Sequence, residues 1–211
     1  MWRDVLVKIC GITRVEDADA AVAAGARALG FVFWPESPRY IDPYRARAVI
    51  ATLPPFVTPV GLFVNQPLAY IRGVASLARL GAVQLHGDES VAFAEAIRNP
   101  VIKALTLRDR FNDWPARARV LLDAHDPAQR GGTGRPIDWD AAAVVAAARP
   151  ILLAGGLTPD NVAEAVARVR PFGIDVSSGV ERSPGIKDHG KIAALFEALH
   201  EHAHSDLTTR S

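Results

Sequence analysis

The sequence predicts an α/β protein, a single-domain (β/α)8 TIM barrel, and three observations carry that prediction. Short runs of β-branched and Leu-rich residues recur eight times along the 211 residues, each ending in a glycine or turn and leading into a stretch with helical spacing. This alternation is the mark of βα units. The runs are apolar almost throughout, which implies burial on both faces, as in a parallel sheet covered by helices. A hydrophobic fraction of 49% can fill a substantial core, and eight units in roughly 200 residues fit a barrel at the small end of its range. An open doubly wound sheet usually has fewer strands and a G-x-G-x-x-G turn after the first, and no such turn follows residues 5–10.

The first strand is read at residues 5–10, "VLVKIC", and a helix over 15–26, where alanines recur at helical spacing. Strands at 28–33, 58–64 and 82–86 follow, separated by helices over 43–53 and 67–82. The segment "DESVAFAEAIR", 88–98, opens on Asp88-Glu89, acids that suit the positive end of a helix. After the strand at 101–105 the connection "TLRDRFNDWPARA" is short and carries Pro115 late, so it is given only a turn or two of helix. The sixth strand, 119–124, precedes a helix over 139–148. The seventh, 150–155, leads through Thr158-Pro159, an N-cap pattern with proline at the first helical position, into a helix over 158–170. A strand at 173–178 and a helix over 188–202 complete the set. Residues 1–203 are assigned to the barrel and 204–211 to a polar C-terminal tail that frays.

Charge and cysteine usage narrow the function. With 24 Lys+Arg against 23 Asp+Glu, the formal charge of +1 gives no field to attract nucleic acid or an anionic membrane, which leaves a small molecule as the expected partner. The single cysteine, Cys10, forms no internal disulfide, and "MWRDVLVKIC" lacks the parts of a signal peptide. A reducing, cytoplasmic location is expected. Apolar runs such as "ILLAGGL" stop well short of the ~20 residues that span a bilayer.

In a barrel of this kind the chemistry lies at the C-terminal ends of the strands. There the sequence places Cys10-Gly11, Gln84, His86, Asp123, Gly155-Gly156, Asp175 and Ser177-Ser178-Gly179. "LAGGLTPDN" and "DVSSGVE" set glycines and backbone N–H groups at adjacent late strands, where such barrels commonly bind phosphate. The absence of G-x-x-x-x-G-K-[ST] argues against a nucleoside triphosphate. Cys10 has two readings: a small buried hydrophobe, or a base or nucleophile whose thiolate is favoured by an electropositive cleft. Asp123 is either a carboxylate that holds a loop or a general acid raised by an apolar cavity. Arg39, in the proline-flanked "WPESPRYI", is a surface residue or a bidentate partner for a carboxylate. His86 is a satisfied rim histidine or a donor to a substrate oxygen. His200, His202 and His204, spaced by two, do not share one helical face, and no metal site is read from them.

Taken together, "KICGIT", "GFVFWPESPRYI", "VGLFVN", "VQLHGDE", "LLDA", "GGTGRPIDW", "LAGGLTPDNV", "DVSSGVE" and "PGIKD" resemble the phosphoribosylanthranilate isomerases of tryptophan biosynthesis, in the family's order and over almost the whole chain. The resemblance implies an Amadori rearrangement of N-(5-phosphoribosyl)anthranilate, without metal or organic cofactor. It implies Asp123 as general acid and Cys10 as base, Arg39 on the anthranilate carboxylate, and His86 and Asp175 lining the substrate cavity. The phosphate would rest on Gly155, Gly156, Ser178 and Gly179. The glycines of "GGTG", 131–134, suit either a closing loop or a plain surface turn. A related aminoaldose-ketose isomerase of histidine biosynthesis uses two aspartates and no cysteine at the first strand, so Cys10 argues against it. A pentose-phosphate epimerase would want several metal-binding histidines at strand ends, where only His86 stands. A ligand-binding barrel that has lost its chemistry would have no need to keep both Cys10 and Asp123.

Overall fold

The structure, a computed structural model, describes residues 5–123 and 137–208, with side chains through Glu201. Eight strands, β1 (Leu6–Cys10), β2 (Ala28–Val32), β3 (Thr58–Phe63), β4 (Ala82–Leu85), β5 (Val101–Leu105), β6 (Arg119–Leu122), β7 (Ile151–Leu153) and β8 (Gly173–Val176), form a closed barrel. Each pairs in parallel with the next, and β8 pairs back to β1 with Lys8 opposite Asp175. The expected TIM barrel is therefore the observed fold. Of the sixth strand as read, Ala124 lies outside the described residues, as does the 131–134 glycine segment.

Period-two alternation divides the strand residues between two layers. Val7, Ile9, Leu29, Phe31, Val83, Leu85, Val120, Leu122, Ile174 and Val176 point outward into one large core beneath the helices. Inward positions are mostly small or slender: Ala28, Val60 and Ala82 form one cluster, and Leu121, Leu152 and Ala154 another. Lys8, Cys10, Gln84 and Asp175 alternate with outward residues and so share the interior.

The helices are α1 (Val15–Ala24), α2 (Pro43–Ile50), α3 (Leu68–Leu77), α4 (Val91–Glu95), α5 (Trp139–Ala148), α6 (Val162–Val169) and α7 (His189–Thr208). Alanines on their inner faces, among them Ala18, Ala21, Ala75 and Ala142, let the axes approach the sheet closely. Between β5 and β6 there is only a 3₁₀ turn, Phe111–Asp113, in keeping with the weak connection read there.

Capping explains where the helices start, and it corrects two sequence expectations. Asp42 accepts from the N–H groups of Tyr44 and Arg45 ahead of Pro43, and Asp138 does the same for Asp140 and Ala141. Asp88-Glu89 does not open α4; Ser90 does, accepting from Phe93 N–H, because Glu89 is drawn into a buried ion pair with Lys103. Thr158-Pro159 does not start α6 either. The chain makes a turn there, with Thr158 N–H donating to the Asn161 side chain, and the helix begins at Val162. Two further features lie beyond what the sequence predicts. A hairpin, β9 (Glu181–Ser183) with β10 (Ile186–Lys187), follows β8, and α7 runs unbroken past residue 203 to Thr208.

The join between α1 and α7 is polar. Asp17 of α1 has no exposed surface, yet it accepts from Arg14, from the Lys187 N–H and from His189. Burial opposes its ionisation, but the hydrogen bonds from Arg14, His189 and Lys187 prevail and hold its carboxyl below the usual range. A depressed folded pKa means stability that is complete above the unfolded value of about 3.9 and lost as pH falls through the folded one. Asp17→Ala is expected to cost about 2 kcal/mol at neutral pH and to flatten the acid limb of the stability curve. Urea denaturation of both proteins across the acid range checks this; equal midpoints at neutral pH would refute it.

Candidate active site

Each predicted site residue but Arg39 lies in or just after a strand's C-terminal end, and local chemistry explains how each is held. Cys10 ends β1, points inward and is 5% exposed. Its neighbour Gly11 turns the chain at φ +80°, and a Cβ there would lie 2.8 Å from Arg39 Cδ. Gly30, paired with Cys10 across β1 and β2, makes room for the thiol: a Cβ on it would stand 2.6 Å from Cys10 Sγ and 3.1 Å from Lys8 Nζ. Ser177 Oγ donates to the Cys10 carbonyl at 3.1 Å, tying the β1 end to the loop after β8.

The opposite wall carries Asp123 and His86. Asp123 follows β6, its N–H bonded to the Leu105 carbonyl, and its Oδ2 lies 3.3 Å from His86 Nε2. The other ring nitrogen, Nδ1, is 3.1 Å from the fully buried Gln84 side chain. His86 is thus fixed from both sides and faces the carboxylate. A cavity of about 640 Å³ opens here, lined by His86, Asp123, Lys103, Leu105 and Arg108 among others. Neither Cys10 nor the glycine pair of β7 belongs to its lining.

The loop bearing His86 is locked by Asn65 and Lys103, to which the sequence assigns no role, and by Asp88 and Glu89, read there only as a helix start. Glu89 accepts from the N–H groups of Asn65 and Gly87 and pairs with Lys103 at 2.9 Å. Asn65 and Asp88 exchange a backbone and a side-chain bond. A Cβ on Gly87 would overlap the Asn65 side chain, so only glycine permits this approach.

At the adjacent ends of β7 and β8 the predicted phosphate residues do come together. Gly155 and Gly156 turn at φ +88° and +66°, a region closed to most side chains. Ser178–Val180 forms a 3₁₀ turn. Gly179 lies so close to the β7 loop that a Cβ would overlap the Leu157 carbonyl oxygen. Asn161 braces the loop by donating to the Gly156 carbonyl and accepting from Thr158 N–H.

Two of the predicted site residues are held in ion pairs. Arg39 does not hold its fork open toward a ligand: Nε and Nη2 grip Glu181 at 2.9 and 2.8 Å, since buried Glu181 needs cations. Burial pushes Glu181 up, but Arg39 and Lys187 outweigh it and hold the carboxyl low. Buried Lys187 also bonds Glu181 at 2.9 Å. Asp175 is not a bare wall residue but the partner of Lys8, Nζ to Oδ1 2.7 Å. For Cys10, burial pushes the thiol up and Asp175 adds to this, while Lys8 and Lys187 oppose it; the balance lies above the ordinary value. The electropositive surroundings are present, but desolvation prevails over them.

Comparison with known proteins gives a consistent picture. A family model described as N-(5'phosphoribosyl)anthranilate (PRA) isomerase matches residues 7–198. The N-(5'-phosphoribosyl)anthranilate isomerase of Geobacter sulfurreducens is 53% identical over 192 residues, covering 89% of this chain and 95% of that one. The crystal structure of phosphoribosyl anthranilate isomerase from Thermotoga maritima is similar with a TM-score of 0.86 at 43% identity, over 93% of this chain and 99% of that one. A second, in complex with reduced 1-(o-carboxyphenylamino)-1-deoxyribulose 5-phosphate, is 42% identical with a TM-score of 0.83 over the same shares.

If the paired glycine loops form an anion cradle, Gly179→Ala should push them apart and weaken binding of a phosphate monoester by at least about tenfold, and the overlap with the Leu157 backbone should lower the melting temperature as well. Calorimetric titration of both proteins decides this; equal affinities would remove Gly179 from the cradle.

Proposed function

From the premise that this chain belongs to the N-(5'-phosphoribosyl)anthranilate isomerase family, we propose that Cys10 and Asp123 are the base and acid of its reaction. The enzyme isomerises N-(5'-phosphoribosyl)anthranilate to 1-(2-carboxyphenylamino)-1-deoxyribulose 5-phosphate, an Amadori rearrangement in tryptophan biosynthesis. The observation that carries the assignment is positional. The lone thiol occupies the inward-facing end of β1 beside Lys8, and Asp123 at the end of β6 stands three strands away by way of β8 and β7.

The proton account closes with these two groups. Asp123 gives its proton to the furanose ring oxygen as the C1–O bond breaks, and the anilino nitrogen supplies the electron pair that forms the C1=N iminium. Cys10 thiolate then takes the C2 proton, and the C–H electrons move to C1=C2 while the iminium pair returns to nitrogen. The enolamine becomes the ketone when C1 gains a proton and the C2 hydroxyl loses one. That step returns the thiol proton to substrate and a proton to Asp123, restoring both side chains. Each assisted transfer is typically worth ~10²- to 10⁴-fold.

The remaining residues position the substrate. Its phosphate rests on Gly155, Gly156, Ser178 and Gly179, where backbone N–H groups and positive-φ glycines allow close approach. The anthranilate carboxylate meets Arg39 through the Nη1/Nη2 edge, because the Nε/Nη2 edge is engaged by Glu181. His86 and Asp175 line the sugar. His86 Nε2 also faces the acid and holds the Asp123 carboxyl in place. The reading keeps the cytoplasmic location that the lone cysteine suggests; among the described residues no helix is long and apolar enough to cross a membrane.

The test is the loss of anthranilate-type fluorescence on substrate generated in situ. Cys10→Ala and Asp123→Asn should each lose at least ~10²-fold in kcat while still binding a phosphorylated product analogue. Wild-type rates in either variant would strike that residue from the mechanism.

A further inference from the structure

We propose that Lys8 is a positioning residue for this reaction: its ammonium, fixed by Asp175 beneath the thiol, is what makes a thiolate at Cys10 attainable inside the barrel. The inference rests on Cys10 being the base, and it extends that reading to a residue with no contact of its own to the reacting carbon.

Three observations carry it. Lys8 is two residues before Cys10 on β1 and so shares its inward face, and it is only 1% exposed. A buried ion pair is a weak stabilising device, often no better than well-packed apolar side chains. A lysine inside a barrel whose interior is mostly Ala, Val and Leu, with Gln84, Asp175 and Cys10 as its other polar members, therefore needs another reason to be there. Next, Sγ and Nζ border the same gap, both within 3.1 Å of the place where a side chain on Gly30 would begin. The glycine keeps that gap open so that the ammonium faces the sulfur without an intervening group. Last, of the two lysines whose charge favours a thiolate at Cys10, Lys8 weighs more than Lys187, which shares the Glu181 carboxylate with Arg39. From the β9–β10 hairpin Lys187 bonds Glu181, and from the loop after β2 Arg39 bonds the same carboxylate. From β8 comes Asp175, which holds Lys8 at 2.7 Å.

The chemistry follows. When Cys10 takes the C2 proton, an S–H bond forms and the C–H pair moves into the substrate, so negative charge leaves sulfur. Before that step the charge must reside on sulfur in a site where burial resists it, and an opposite charge within a few ångströms favours the charged form by about 1–3 pH units. Lys8 itself stays protonated, because Asp175 and Cys10 more than restore the pKa that burial pulls down.

Because Cys10 is the only cysteine in the chain, thiolate absorbance in the far ultraviolet reports on it alone once the Cys10→Ser spectrum is subtracted. In the full-length Lys8→Met protein the thiol midpoint should rise by at least about one pH unit. The acid limb of kcat/KM should rise with it, and KM should change by less than about threefold. Lys8→Arg keeps the charge and should bring the midpoint back toward wild type. An unmoved midpoint in folded Lys8→Met overturns the proposal. Should that variant fail to fold, Asp175→Asn is compared with Lys8→Met/Asp175→Asn, where the same upward shift is expected and its absence equally overturns the proposal. If the thiol midpoint moves but the pH profile of turnover does not, Lys8 does govern the thiol and it is Cys10 that is not the base.

Discussion

The structure depends first on a constraint of dielectric: charge placed inside a narrow closed barrel must be paired there. Lys8 and Asp175 meet this at the seam where β8 closes on β1, as register partners 167 residues apart in the chain. Neither could be buried alone without several kcal/mol of desolvation cost. The pair therefore favours the register that brings the two strands together. It also puts a permanent cation beside the one thiol, so a single contact serves both closure and chemistry.

The same rule organises the mouth of the barrel. Glu181 is shared by Arg39 and Lys187, and Glu89 is clasped by Lys103 and two loop N–H groups. In each case a buried carboxylate gathers donors from segments far apart in sequence and fixes a loop that would otherwise be free. The first cluster ties the loop after β2 to the hairpin after β8 at the Cys10 side of the mouth, and the second sets the direction of His86 and, through it, the setting of Asp123. Glycines complete the arrangement at the few points where backbone must approach closely: Gly30 beside the thiol, Gly87 against Asn65, and Gly179 against the β7 loop.

Much of this is legible in the sequence because it is local. Strand positions follow from apolar runs, and all eight lie within two residues of the observed ends among the described residues. Helix starts are less legible, since Asp88-Glu89 and Thr158-Pro159 carry signals that tertiary partners override. The pull of Lys103 on Glu89 is stronger than the helix dipole's, and Asn161 spends Thr158 on a brace. Residues singled out at strand ends are found there, because a barrel puts its functional positions at one end of every strand. The partners of those residues are not legible in the same way. Lys8 has a visible signal, a lysine at an inward position of the apolar run "VLVKIC"; Glu181 and Lys103 have none that a sequence displays without knowing what lies opposite.

The order of the elements, the two-layer alternation and the chemical types at the strand ends are properties of the sequence alone, because each depends on neighbours a few residues away. Which charges meet is settled only in the folded barrel: Arg39 with Glu181, Lys8 with Asp175, His86 with Asp123. So is the outcome at the resting thiol, where burial outweighs the surrounding cations. Coulomb energy and desolvation are set by distances and solvent exposure in the closed barrel, and those exist only once distant segments of the chain have been brought to the same end of it.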